Sequence, residues 1–133
     1  MVYLAKSKGK ICSLRSISEK EDIPFDYLEK IISKLKKANL VKAKRGIQGG
    51  YFLTQKSTKI KVGKIIRVLE GKMSLVKCIG EKEKYLCPRE KKCLTKNFWG
   101  EIQDTLNAAL DSLTLDDLIL PKNILEIRYK TKK

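Results

Sequence analysis

The chain has 133 residues, enough for one domain with a real core or for a small domain with an appended dimerisation segment, and too few for two independent cores. Thirty Lys and Arg against fifteen Asp and Glu give a net charge of +15, and residues 1–68 hold most of the excess, with 17 basic and 5 acidic side chains. A polyanion is the expected partner of that half. No apolar run approaches the roughly 20 residues of a membrane span, and no signal-peptide apolar region with a cleavage site opens the chain, so a cytoplasmic protein without membrane contact is expected.

Residues 1–8, MVYLAKSK, look like the end of a helix: Val2, Leu4 and Ala5 are apolar, no cap precedes them, and Gly9 is a natural stop. So abrupt an opening points to truncation, with a native start at Met1 as the alternative. Ser13 or Ser16 then caps a second helix, with Glu19 three residues beyond Ser16 as in a capping box and Leu14, Ile17 and Ile23 turned to the core. This is the supporting helix of a helix-turn-helix whose turn falls at residues 22–25.

The recognition helix is expected from Pro24 to Ala38. Pro24 suits a first turn, and Leu28, Ile31, Ile32 and Leu35 recur at the spacing of a buried stripe. Asp26, Tyr27, Glu29, Lys30 and Ser33 occupy the turns that can reach base edges, where Glu29 suits a cytosine amino group. Lys34, Lys36 and Lys37 suit phosphates. After Asn39, Val41 and Ala43 alternate with Lys42 and Lys44 as in a strand, Arg45, Gly46, Ile47, Gln48, Gly49 and Gly50 make a turn, and Tyr51, Phe52 and Leu53 return. A helix followed at once by a basic hairpin is the order of a winged helix. Arg45 is the wing's expected DNA contact, its fork matching a guanine edge or the negative potential of a narrow minor groove. The glycines let the backbone come close.

A polar connection, TQKSTKIK, leads to VGKIIRVLEG, a short amphipathic helix that Gly71 ends. Residues 73–95 lose all periodicity and hold three of the four cysteines as Cys78-x8-Cys87-x5-Cys93; Cys12 stands apart as a packing residue. Three soft thiolates on one loop suit an iron-sulfur cluster, zinc or copper(I), or else a redox pair, and the neighbouring Lys77, Lys82, Lys84, Lys91 and Lys92 favour the thiolate form. With no His in the chain, a site of three cysteines and one histidine cannot be built from it.

Residues 97–119 carry five acidic side chains and no Lys or Arg, and Trp99, Ile102, Leu106, Ala109, Leu110 and Leu113 mark one wide apolar stripe. A small winged helix already has its own core, so this stripe is expected to bury against a second subunit as well as the first helix, the alternative being a helix folded back onto its own domain. Thr114 with Asp116 and Asp117 caps a last short turn containing Leu118 and Ile119. From Pro121 the chain is basic and unpatterned, a tail expected to be mobile.

The pieces DYLEKIISKLKKANLV, KRGIQGGYFL, VGKIIRVLEG and CIGEKEKYLCPREKKCLT, followed by an aromatic-led helix, together resemble the Rrf-two family of bacterial winged helix-turn-helix regulators, with its IscR-like, NsrR-like and CymR-like branches. The resemblance covers almost the whole chain. It implies homodimers on palindromic operators whose affinity responds to a cluster on the three loop cysteines. Position by position it implies Asp26, Tyr27, Glu29 and Arg45 at DNA, Cys78, Cys87 and Cys93 at iron, and residues 98–113 in the dimer helix. Lys96 stands where IscR-like members have a His, and NsrR-like members take a fourth ligand from the partner's N-terminal helix. The fourth ligand is unassigned among an N-terminal carboxylate, a loop acid such as Glu81 or Glu83, and an external thiol.

The expected fold is mainly α with a small β-wing: a winged helix-turn-helix domain over residues 1–71, a cysteine-containing loop over 72–96, a long C-terminal dimerisation helix over 97–120 and a basic tail over 121–133. The expected function is a homodimeric repressor, not an enzyme, that binds double-stranded DNA and senses iron-sulfur status, redox state or nitric oxide through a 2Fe-2S or 4Fe-4S cluster. The alternatives are a cluster-free regulator of the same fold, acting through a partner protein or thiol oxidation, and an iron-sulfur or thiol enzyme.

Overall fold

A computed structural model of the chain describes residues 1–80 and 86–120. It is mainly helical with one two-stranded wing: α1 Val2–Lys6, α2 Leu14–Glu21, α3 Phe25–Lys37, β1 Val41–Lys44, β2 Gly50–Leu53, α4 Val62–Glu70, α5 Lys77–Gly80 and α6 Lys96–Ser112. The basic tail, with Glu81, Lys82, Glu83 and Lys84 of the loop, lies outside the described residues.

Of the two serines able to cap α2, Ser13 does so, its hydroxyl accepting from the Ser16 amide at 3.1 Å. The Ser16 hydroxyl instead pairs with Tyr3 at 3.3 Å, so the box with Glu19 is not formed. Asp22, left-handed at φ 50°, turns the chain out of α2, and the Ile23 amide donates back to the Ser18 carbonyl. Pro24 precedes α3 as its cap residue rather than lying inside it. At the far end Asn39 takes φ 56°, the Leu40 amide reaches the Leu35 carbonyl and the Asn39 amide the Lys36 carbonyl. This pair of bonds satisfies two orphan carbonyls and aims the chain straight into β1.

The core gathers Leu4, Ile17, Leu28, Ile32, Leu35, Leu40, Val41, Ile60, Ile65 and Leu115. Three of these come from one face of α3, which fixes the opposite face outward. In the wing Val41 pairs with Leu53 and Lys44 with Gly50, antiparallel. Cys12 adds a single bridge beside β2, exchanging amide-carbonyl bonds of 3.0 and 2.8 Å with Tyr51. The approach is so close that a Cβ on Gly50 would overlap the Cys12 carbonyl. Gly50→Ala is therefore expected to cost about 1–3 kcal/mol by forcing backbone apart, seen as a fall of several degrees in the thermal midpoint. An unchanged midpoint would remove this close approach as a constraint.

Two expectations change. The cysteine segment is not wholly irregular: α5 and a 3-10 turn at Glu90–Lys92 form within it. Gly80 lets α5 lie against Ser74, whose hydroxyl donates to the Val76 carbonyl at 2.6 Å. The C-terminal helix also stops at Ser112, short of residue 119. There Val62 donates to the Leu113 carbonyl and Leu115 to the Ile60 carbonyl, an antiparallel bridge that pulls the chain out of helix and buries Leu115 completely. Beyond it the expected cap is present, with the Thr114 amide and hydroxyl donating to Asp117 and the Asp117 amide donating back to the Thr114 hydroxyl.

Candidate nucleic-acid interface and cysteine loop

Burial of Leu28, Ile32 and Leu35 rotates Asp26, Lys30, Ser33 and Lys37 to the outermost strip of α3, with Glu29 and Tyr27 on its two flanks. All six are exposed. Hydroxyl, carboxylate and ammonium groups thus stand together on a surface that no other element among the described residues covers. Lys34 differs. Exposed though it is, its ammonium donates to the Leu69 carbonyl at 2.8 Å, a cation at the C-terminal end of α4 that ties α3 to α4.

Lys42, Lys44, Arg45, Gly46 and Gln48 are exposed along the wing, while Gly49 is half-buried at the base of its turn. Gly46 sits at φ 118°, a conformation L side chains rarely adopt, and its carbonyl accepts from the Gly49 amide at 2.9 Å. Helix face and wing therefore offer donors and cations on elements that share one core.

The cysteine loop is joined to this unit through α6. Gln103 is buried, 5% exposed: its side-chain carbonyl accepts from the Leu75 amide at 2.9 Å and its side-chain amide donates to the Met73 carbonyl at 3.0 Å. In the last turn of α6, Asp111 pairs with Arg67 of α4, over Gly63, whose missing side chain leaves room for the pair. Neither Gln103 nor Leu115 stood out in the sequence. A signal existed only for Gly63, an isolated glycine within a helical pattern, which marks close approach.

The side of α6 turned to residues 73–75 and to α4 thus carries polar groups, Gln103, Asn107 and the exposed Asp111. The helix's apolar stripe is centred roughly 110° away; Trp99 at 36% and Ile102 at 41%, with the neighbouring Phe98 at 56%, are exposed, while Leu106, Ala109, Leu110 and Leu113 are half-buried. Phe98 and Trp99 meet edge to face at 5.4 Å.

Cys78, Cys87 and Cys93 are free and half-buried. In donor type they fit an iron-sulfur cluster. In position they are not gathered: among the described residues no three His, Cys, Asp or Glu side chains converge where they could hold a metal ion. The Thr95 hydroxyl, 3.6 Å from the Cys93 sulfur, lowers that thiol's pKa, with Lys96 adding to the effect. Lys96 itself bonds Glu90 at 2.5 Å, which raises its pKa, and it lies close enough to Cys78 and Cys93 for both to raise it further. As a protonated amine it has no lone pair to offer iron. No helix among the described residues is long and apolar enough to cross a membrane.

The Rrf2 family model, described as an iron-dependent transcriptional regulator, matches residues 1–121. The chain is 40% identical over 119 residues to the HTH-type transcriptional regulator CymR of Bacillus subtilis, covering 89% of this chain and 80% of that protein. It is 33% identical over 126 residues to the HTH-type transcriptional regulator IscR of Pectobacterium carotovorum, covering 95% and 74%. The solved structure of CymR, described as the global cysteine regulator of B. subtilis, superimposes with a TM-score of 0.73 at 38% identity over 89% of this chain and 85% of that one. The winged helix, the wing's position after α3 and relatives named as regulators agree: the chain belongs to the Rrf2 family of DNA-binding transcriptional regulators and is not an enzyme.

Proposed function

We propose that the protein is a cytoplasmic homodimeric repressor that reads a palindromic operator through α3 and the wing and is switched by its cysteine loop. Residues 1–71 form the DNA-binding unit, 72–96 the sensing loop and 97–120 the dimerisation segment. The observation that carries this reading is the exposed polar face of α3 beside a basic, glycine-turned wing on one shared core. Asp26, Tyr27, Glu29, Lys30 and Ser33 approach base edges, and Arg45, with the close backbone of Gly46, Gln48 and Gly49, meets the adjacent groove. Lys34 contributes charge to that face while holding α4. The exposed stripe of α6 supplies the contact between subunits.

In the leading form of the switch Cys78, Cys87 and Cys93 hold an iron-sulfur cluster. When bound, the cluster supplies a reversible redox and ligand-loss event. The fourth ligand is not Lys96. Gathering three thiols shifts the segment that Gln103 pins to α6, and Arg67–Asp111 and Lys34–Leu69 continue that connection to α3. Coupling of this kind requires the DNA-binding form to hold the cluster with a different affinity from the free form. A second form is favoured by the ungathered thiols and the similarity to CymR: a cluster-free regulator acting through thiol oxidation or a partner protein.

Purification of the full-length gene product without oxygen, followed by iron, sulfide and visible absorption measurements and by operator titration, distinguishes the two. Stoichiometric iron and sulfide, with an operator affinity that changes on cluster removal, is the expected result. Colourless, metal-free protein that still binds operator would move the switch to the thiols, and Ser at all three cysteines without effect on regulation would remove them as well.

A further inference from the structure

We propose that Ile47 is an apolar wedge that seats in the DNA minor groove beneath the wing and selects A·T pairs there. The proposal rests on the operator-binding reading above and deepens it by naming what the wing reads.

Ile47 is 108% exposed, so its side chain has no packing partner among the described residues. The other exposed apolar groups of the DNA-binding unit, Ile11 at 37%, Phe25 at 43% and Tyr27 at 57%, each keep part of their surface against it. The turn that holds Ile47 out is tight. Gly46 supplies φ 118°, the Gly49 amide closes on the Gly46 carbonyl, and a Cβ on Gly49 would press on the Lys44 and Gly46 carbonyls. A β-branched side chain there is stiff at χ1 and loses little freedom on being inserted.

The surroundings identify the occupant. Lys42, Lys44 and Arg45 precede Ile47 and Gln48 follows it, all exposed and with no acidic residue in the wing. An apolar group within a cationic strip suits a narrow slot walled by phosphates better than a protein groove. The minor groove is about 6 Å wide, and apolar side chains are the wedges that architectural proteins insert between its base steps. At an A·T pair its floor is free of exocyclic amino groups. At a G·C pair the guanine N2 amino group stands where the Ile47 methyl groups would rest, and it would lose its hydrogen-bonded water without replacement.

The test uses the full-length protein and a duplex it selects from a randomised pool of about 30 base pairs, enough for two half-sites one or two turns apart. Affinities are compared on that duplex and on the same duplex with 2,6-diaminopurine for adenine under the wing. That base adds a minor-groove amino group and leaves the major-groove edge intact. The wild type is expected to lose roughly tenfold in affinity on diaminopurine DNA, the scale of one mispaired contact. Ile47→Ala is expected to lose a similar factor on the selected duplex and to show no further loss on diaminopurine. A wild type indifferent to diaminopurine, or Ile47→Ala that keeps the full penalty, overturns the wedge. In either case an affinity loss in Arg45→Ala leaves operator reading standing. A pool yielding no enriched sequence overturns operator reading itself, and the wedge with it.

Discussion

Ile102→Asp is expected to leave the protein monomeric in solution and to weaken binding to a palindromic operator by roughly 10²–10⁴-fold, the scale of avidity gained when a second site binds intramolecularly. Ile102 belongs to the exposed apolar group of α6, one turn on from Trp99 of the Phe98–Trp99 pair. It lies next in sequence to Gln103 but on a different side of the helix, so a carboxylate there meets solvent in the monomer and leaves the Gln103 bonds to Met73 and Leu75 intact. In a dimer the same carboxylate would be buried against apolar surface without a partner, which costs several kcal/mol. Sedimentation equilibrium reads the mass, titration against one half-site and against two reads the avidity, and thermal unfolding of the monomer verifies the fold. Affinity for a single half-site should change little. A variant that still sediments as a dimer places the subunit contact elsewhere, and a monomer that keeps full palindrome affinity shows that two heads do not act together.

Short-range features of this fold were plain in the sequence. Leu28, Ile32 and Leu35 are spaced for one helical face, Asn39 ends the helix in the left-handed conformation it tolerates, and Gly71 stops α4 at φ 82°. The same spacing placed Asp26, Lys30 and Ser33 outward, because fixing one face of a helix fixes the other. What escaped depends on partners distant in the chain. Leu115 enters the core only because Ile60 bonds its amide, and Ser57 is joined to Asp116 across 59 positions. Gln103 carries no periodic signature: a polar residue on a helix becomes structural only when two backbone groups from another segment need satisfying. In sequence Lys34 is indistinguishable from its lysine neighbours, and only the end of α4 beside it sets it apart. The apolar stripe of α6 was legible as a stripe. That the chain's own domain would take the polar side of the same helix was not, since composition records which residues are apolar and not which face a particular neighbour meets.

Arg45→Ala is expected to reduce operator affinity by about 1–3 kcal/mol, or roughly 5- to 150-fold, and to relax preference at the base pairs beneath the wing while changing non-specific binding little. Arg45 leaves the hairpin between Lys44, paired with Gly50, and Gly46 at φ 118°, so its backbone is held and little freedom is lost when the guanidinium docks. Its fork can meet two acceptors at once, which an ammonium cannot match in geometry. Lys37→Ala should behave differently. Lys37 lies on the outer strip of α3 but in its last turn, away from the end proposed to approach base edges, and its charge suits a phosphate. Its loss should weaken binding to every duplex alike and lower the slope of log K against log salt by about one for each contact removed. The two variants are separated by titrating selected and scrambled duplexes across a range of salt. The difference lies in which quantity moves: the ratio of specific to non-specific affinity for Arg45, the salt slope for Lys37. Equal small losses on both duplexes from both variants would show that the wing and the helix end contribute only diffuse charge, and base reading would then have to come from the first turns of α3 alone.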